Sequence, residues 1–228
     1  MPEEDGASLM NKQELTELGL SSWDRLRLAV EKGDKKQALL LMENMHKNTI
    51  QIYGHLTDTI DLLLSTLAHN EGEEEIYKIQ RANSLRVVIP SPAMKDFAGL
   101  NADDKLKKRV GHWTELHGVP ADIEEDSEKY IIRVNCNTGS DLVNRGNYGK
   151  TKRPYTWSAS QKGISYYCVH CTISFELLWT EQYGYPLWIT FPPQKPGDKC
   201  TQYIFKDTKS IPEEYYRRLG LEKPANLR

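Results

Sequence analysis

Several features that would assign a function at once are missing from this chain. Neither sign of charge dominates: 30 Lys and Arg face 32 Asp and Glu, a net charge of -2, spread along all 228 residues. No field of one sign therefore advertises nucleic acid or an anionic membrane. No run of about 18 apolar residues exists to read as a membrane span. There is no phosphate-binding glycine loop, dinucleotide fingerprint, nucleophile elbow or His-Glu-x-x-His. No repeat of solenoid period or low-complexity tract interrupts the chain. The N-terminus, Met-Pro-Glu-Glu-Asp, has no basic region and no apolar segment after it, so the expectation is a soluble, cytoplasmic protein whose thiols stay reduced or bind metal.

What remains is enough for a full core: 39% of residues are hydrophobic and 27% charged. Residues 1–20 are polar and expected to fray. Ser22 can cap a short helix from Trp23 that ends before Gly33, and Asp34 a second. Leu41, Met45, Thr49, Ile52, Leu56, Ile60, Leu63 and Leu67 alternate steps of three and four, the stripe of a long amphipathic helix reaching Ala68 or His69. Glu73 to Glu75 and Arg81 with Arg86 complement the dipole of a third helix. Pro90 and Pro92 end that pattern. The expected organisation is a helical N-terminal region over residues 1–89 and an α+β domain over 90–228.

In the second region, Asp103 can cap a helix running to about Leu116, and Gly118-Val119-Pro120 ends it. Tyr130, Ile132 and Val134 then alternate as a strand delivering Cys136. Residues 137–163 read as a long loop, and Cys168 to Tyr183 as a helix stopped by Gly184 and Pro186. Leu187–Phe191 and Thr201–Lys206 read as strands joined by a turn at Pro196 to Asp198, with a last helix from Pro212. The fold class is thus α+β, a helical arm followed by a small antiparallel or mixed sheet packed against helices.

Cysteine is the scarce residue that carries information. All four lie between Cys136 and Cys200, two of them in Tyr166-Tyr167-Cys168-Val169-His170-Cys171. In the first turn of a helix Cys168 and Cys171 would share one face, with His170 about 100° from Cys171. Free amides and the dipole there favour thiolates, hence metal ligation or nucleophilic attack. Cys136 and Cys200 can complete a metal set, with zinc or iron the candidates. Asn137, Thr138, Gly139 and Ser140 have the composition of an anion nest. Glu176 or Glu181 can serve as ligand or general base. Trp157 belongs to a dense aromatic run that can wall a ligand pocket. His112 and His117, five apart, do not share an α-helical face and are not taken as a metal pair.

Over roughly the last 120 residues the chain resembles the L-2-amino-thiazoline-4-carboxylic acid hydrolase family. The resemblance rests on Trp113-Thr114-Glu115-Leu116-His117-Gly118, the Cys136 loop, Tyr167-Cys168-Val169-His170-Cys171, Glu181 before Gly184-Tyr185-Pro186, and Cys200 leading to Ile211-Pro212-Glu213. It departs from the family's more glycine-rich stretch at Asn137-Thr138. The resemblance implies hydrolytic opening of a carbon–nitrogen bond in a small cyclic or amide-like molecule. Two readings stay open: a metal- or cysteine-dependent hydrolase with Cys168, His170, Glu176 and Glu181 as catalytic candidates, or a non-enzymatic ligand-sensing or metal-binding protein with a structural thiolate site. Expected partners are a small molecule and a second copy of the chain bound through the N-terminal helices, with no nucleic acid and no membrane.

Overall fold

The computed structural model describes Thr16 and residues 19–227, so most of the segment expected to fray lies outside the described residues. The chain forms two compact units, Met1–Gln51 and Ile52–Arg228. In the first, α1 (Ser22–Glu31) is capped by Ser21, one residue earlier than expected, whose hydroxyl accepts the Asp24 amide at 3.1 Å. Gly33 turns the chain at a φ of 70°, and the Asp34 carboxylate caps α2 (Lys35–Glu71) by accepting the Gln37 amide at 3.0 Å. Leu26, Ala29, Ala38 and Leu41 form the small core of this unit.

In the second unit, α2 buries Thr57, Asp61, Leu64 and Ala68. That face lies one residue over from the expected stripe, a rotation of about 100°. Ile60 and Leu67 pack at its edge, while Ile52, Leu56 and Leu63 stay 66%, 54% and 65% exposed. Next comes α3 (Glu74–Asn83), which continues into a wider π turn at Ser84–Val88. Pro92 opens the short α4 (Pro92–Lys95), as a proline at the first helical position should. Asn101, not Asp103, caps α5 (Ala102–Gly111) by accepting the Asp104 amide at 2.9 Å, and a second π turn follows at His112–Leu116.

The sheet is antiparallel throughout, in the order β1 (Ala121–Glu125), β2 (Lys129–Val134), β4 (Cys200–Phe205), β3 (Ile189–Phe191). β1 escaped the sequence reading because it carries almost no apolar pattern. It is a charged edge strand, held by Asp122, Glu124 and Glu125 to Lys199, Arg133 and Lys206. The expected loop over 137–163 contains α6 (Gly139–Arg145) and is pinned by Glu73, which accepts from Tyr155 at 2.7 Å, Tyr166 at 2.6 Å and the Lys152 amide at 2.8 Å.

The helical stretch from α7 (Val169–Cys171) through a third π segment (Thr172–Leu177) to α8 (Leu178–Tyr183) is the centrepiece of this unit. One side packs with Leu64, Ile76, Trp157 and Ile164, and the other with Trp113, Ile132, Val134 and Trp188. The short α9 (Glu213–Arg217) follows Pro212 as expected. No helix among the described residues is long and apolar enough to cross a membrane.

Candidate functional site

A cavity of about 260 Å³ lies where these two cores meet, and all four cysteines line it. The sheet register explains half of that convergence. Cys200 stands opposite Val134 across the β2–β4 ladder, and Cys136 follows Val134 by two residues, so both fall on one face of the pleat. Cys168 caps α7 and Cys171 ends it, one turn on. Gly139 lets the two groups approach: a Cβ there would lie 2.5 Å from Cys168 Sγ and 3.7 Å from Cys136 Sγ. All four thiols are free.

The sequence anticipated thiolates at both Cys168 and Cys171, but of these two only Cys171 has the surroundings for it. Burial drives Cys168 and Cys200 well above the ordinary thiol range. Burial acts on Cys171 too, yet the charge and hydrogen bond of His170, with help from Arg109, outweigh it and lower the thiol. His170 Nε2 lies 3.3 Å from Cys171 Sγ, although the two residues point apart along the helix, because the imidazole folds back to place Nδ1 2.6 Å from the Tyr167 carbonyl. A carbonyl can only accept, so Nδ1 carries a proton and Nε2 is left to serve the sulfur. Burial would lower the His170 pKa, but the neighbouring Cys171 charge reverses it and holds the imidazolium above its ordinary range. Each residue thus shifts the other toward a thiolate–imidazolium couple.

Arg109 is 4% exposed on the same cavity. Its guanidinium lies 4.3 Å from the Trp113 ring and 4.4 Å from the Trp188 ring, and Nε donates to Gln202 Oε1 at 2.8 Å. Among the described residues its terminal nitrogens have no hydrogen-bond partner. Burial pulls its pKa down to about 10, which still leaves it charged at neutral pH. A buried cation open to a cavity suits an anionic ligand group.

His112 and His117 also line the cavity, although on an α-helix their spacing would not put them on one face. Five steps of an α-helix separate two side chains by about 140°, but a π turn bonds i to i+5 and brings them together. The His117 amide donates to the His112 carbonyl at 3.3 Å, and the rings stand 4.9 Å apart. The three π segments contribute Val88, His112 with Trp113, and Phe175 to the cavity wall. Sequence periodicity offers no signal for such turns.

The remaining candidates are spread more widely. Thr138 and Gly139 line the cavity, whereas Asn137 hydrogen-bonds His117 and the Ser140 amide donates to Cys136 Sγ at 3.1 Å. Glu176 is fully buried behind the wall, accepting from the Thr190 amide at 2.9 Å and from Arg218. Glu181 pairs with Arg81 at 2.8 Å away from the cavity lining. Trp157 stacks on Tyr155 at 4.5 Å within the neighbouring core. Among the described residues no group of three or more His, Cys, Asp or Glu is arranged to hold a metal ion.

Comparison with protein-family models, with curated proteins and with solved structures gives no match.

Proposed function

We propose that this chain is a cysteine-dependent hydrolase of a small cyclic or amide-like molecule bearing a negative charge. The observation that carries the reading is the Cys171–His170 couple, open to a cavity on which the buried Arg109 guanidinium has free donors. Cys171 attacks the carbon of the scissile carbon–nitrogen bond, His170 passes its Nε2 proton to the leaving nitrogen, and water releases the product. Arg109 orients the anionic group. The residues that carry the resemblance to the L-2-amino-thiazoline-4-carboxylic acid hydrolase family supply most of these groups, and four free thiols suit a cytoplasmic location.

Convergence of all four cysteines on one cavity favours a second reading, a thiolate site for zinc or iron, structural or ligand-sensing. Elemental analysis of protein purified without added metal separates the two. The hydrolase reading expects well below one zinc or iron per chain, with turnover of small anionic amides that chelators do not touch. Roughly one metal per chain, with a cobalt derivative showing the intense bands of four thiolates, overturns it.

We also propose a homodimer through the outward face of α2. Ile52, Leu56 and Leu63, with Thr59 and Thr66 between and beyond them, follow the three–four spacing of a coiled-coil seam, which a second copy of the same helix can match. Light scattering at micromolar concentration should give twice the chain mass, and Leu56→Glu should halve it by placing unpaired charges at the seam. A monomer mass for the unaltered protein refutes this.

A further inference from the structure

We propose that His117, held in place by Asn137, is the general base that activates the hydrolytic water once an acyl group rests on Cys171. This inference rests on the thiolate reading above and adds a second imidazole to it.

Asn137 Nδ2 donates to the His117 carbonyl at 2.9 Å, which fixes the orientation of the amide. Its Oδ1 is therefore the atom that lies 2.9 Å from His117 Nδ1, and an amide oxygen accepts only. Nδ1 must carry the proton, so in the neutral ring Nε2 is a bare lone pair. Tyr53 stacks on the ring at 4.8 Å and limits its rotation. His170 has no such free nitrogen, since Tyr167 takes Nδ1 and Cys171 takes Nε2. His112 has no partner among the described residues to set its tautomer. His117 is thus the one imidazole on the cavity that is both oriented and vacant.

Its charge state suits the role. Burial, together with the charges of Arg109 and His170, outweighs the Asn137 hydrogen bond and lowers the His117 pKa, so the ring is neutral near pH 7. The other titratable groups about it are His112, the four cysteines on the cavity and the phenols of Tyr53 and Tyr167. In the step assigned, the water oxygen bonds to the thioester carbonyl carbon while its proton passes to His117 Nε2. The tetrahedral intermediate collapses, the carbon–sulfur bond breaks, and its electron pair returns to Cys171 as thiolate. The product acid ionises to its carboxylate and His117 gives up the proton it took; of these two protons one returns to His170, restoring the charge it lost to the leaving nitrogen, and the other goes to solvent. A cavity of about 260 Å³ has space for the water beside a small acyl group.

p-Nitrophenyl acetate tests this on the intact protein. The unaltered chain should release a burst of p-nitrophenolate, carry acetyl on Cys171 by mass spectrometry, and then turn over. His117→Gln should keep the burst rate, accumulate acetyl-Cys171 and lower steady-state turnover about 10²-fold. Asn137→Asp, which sets a carboxylate against Nδ1, should move the rising limb of the steady-state pH profile to higher pH, which a merely structural role would leave in place. His117→Gln with unchanged turnover, or with burst and turnover lowered by one common factor, overturns the role of His117 while leaving the thiolate standing. Absence of acetyl-Cys171 in the unaltered chain overturns the thiolate reading and this inference with it.

Discussion

Iodoacetamide should modify Cys171 ahead of Cys136, Cys168 and Cys200, and its rate should reach half-maximum at a pH below the ordinary thiol value. Burial raises a cavity thiol, as it does for Cys168 and Cys200, and for Cys171 the His170 charge and hydrogen bond, with a smaller contribution from Arg109, reverse that. His170→Gln keeps a polar side chain but removes the cation. The Cys171 titration should then move upward toward its buried neighbours, and every unit of that shift costs about tenfold in thiolate fraction below the pKa. At neutral pH the variant should therefore react at least about tenfold more slowly, and at high pH it should approach the unaltered rate. Peptide mapping of alkylated protein across a pH series reads both effects. Equal labelling of the four cysteines, or a titration indifferent to His170, would sink the thiolate–imidazolium couple and the hydrolase built on it.

The largest loss of stability should follow Arg218→Met. Glu176 is 0% exposed, and its carboxylate depends on Arg218 and on the Thr190 amide. Removing the cation leaves a buried charge without its partner, a change that typically costs about 3–5 kcal/mol. The sign of the pH dependence follows from burial, which outweighs Arg218 and already raises the Glu176 pKa. An acid whose folded pKa is raised stabilises the fold most below its unfolded pKa, and that contribution is lost as pH climbs through the folded value. Without Arg218 the folded pKa rises further, so the variant should be weakest at neutral pH and regain stability on acidification. Urea unfolding at pH 7 and pH 5 measures this. Adding Glu176→Gln should restore much of the loss at pH 7, and a loss that neither acid nor Glu176→Gln relieves would show that Arg218 acts through its packing on Phe191 and Tyr215 instead.

Much of the architecture was legible because it depends on short-range rules. The Asp34 cap, the proline break before Pro92, the alternation of Tyr130, Ile132 and Val134, and the turn at Pro196 to Asp198 each follow from side-chain and backbone preferences within a few residues. The misread elements lack such signals. β1 presents charge where a strand pattern needs apolar residues, and α2 turned its core face by one residue because the partner that covers it, around Trp157 and Ile164, is far along the chain.

The same division runs through the site. Composition and spacing alone singled out the cysteines and His170, because Cys-x-x-Cys with a histidine inside it carries chemistry on any scaffold. Only the tertiary structure decided that Cys136 and Cys200 join them, since that depends on strand register and on a glycine with no side chain at position 139. Likewise, only the fold placed Arg109 between two tryptophans and brought His112 and His117 to the cavity wall. Those placements depend on π turns and long-range packing, whose energies come from surfaces distant in sequence, and periodicity along one helix cannot report them.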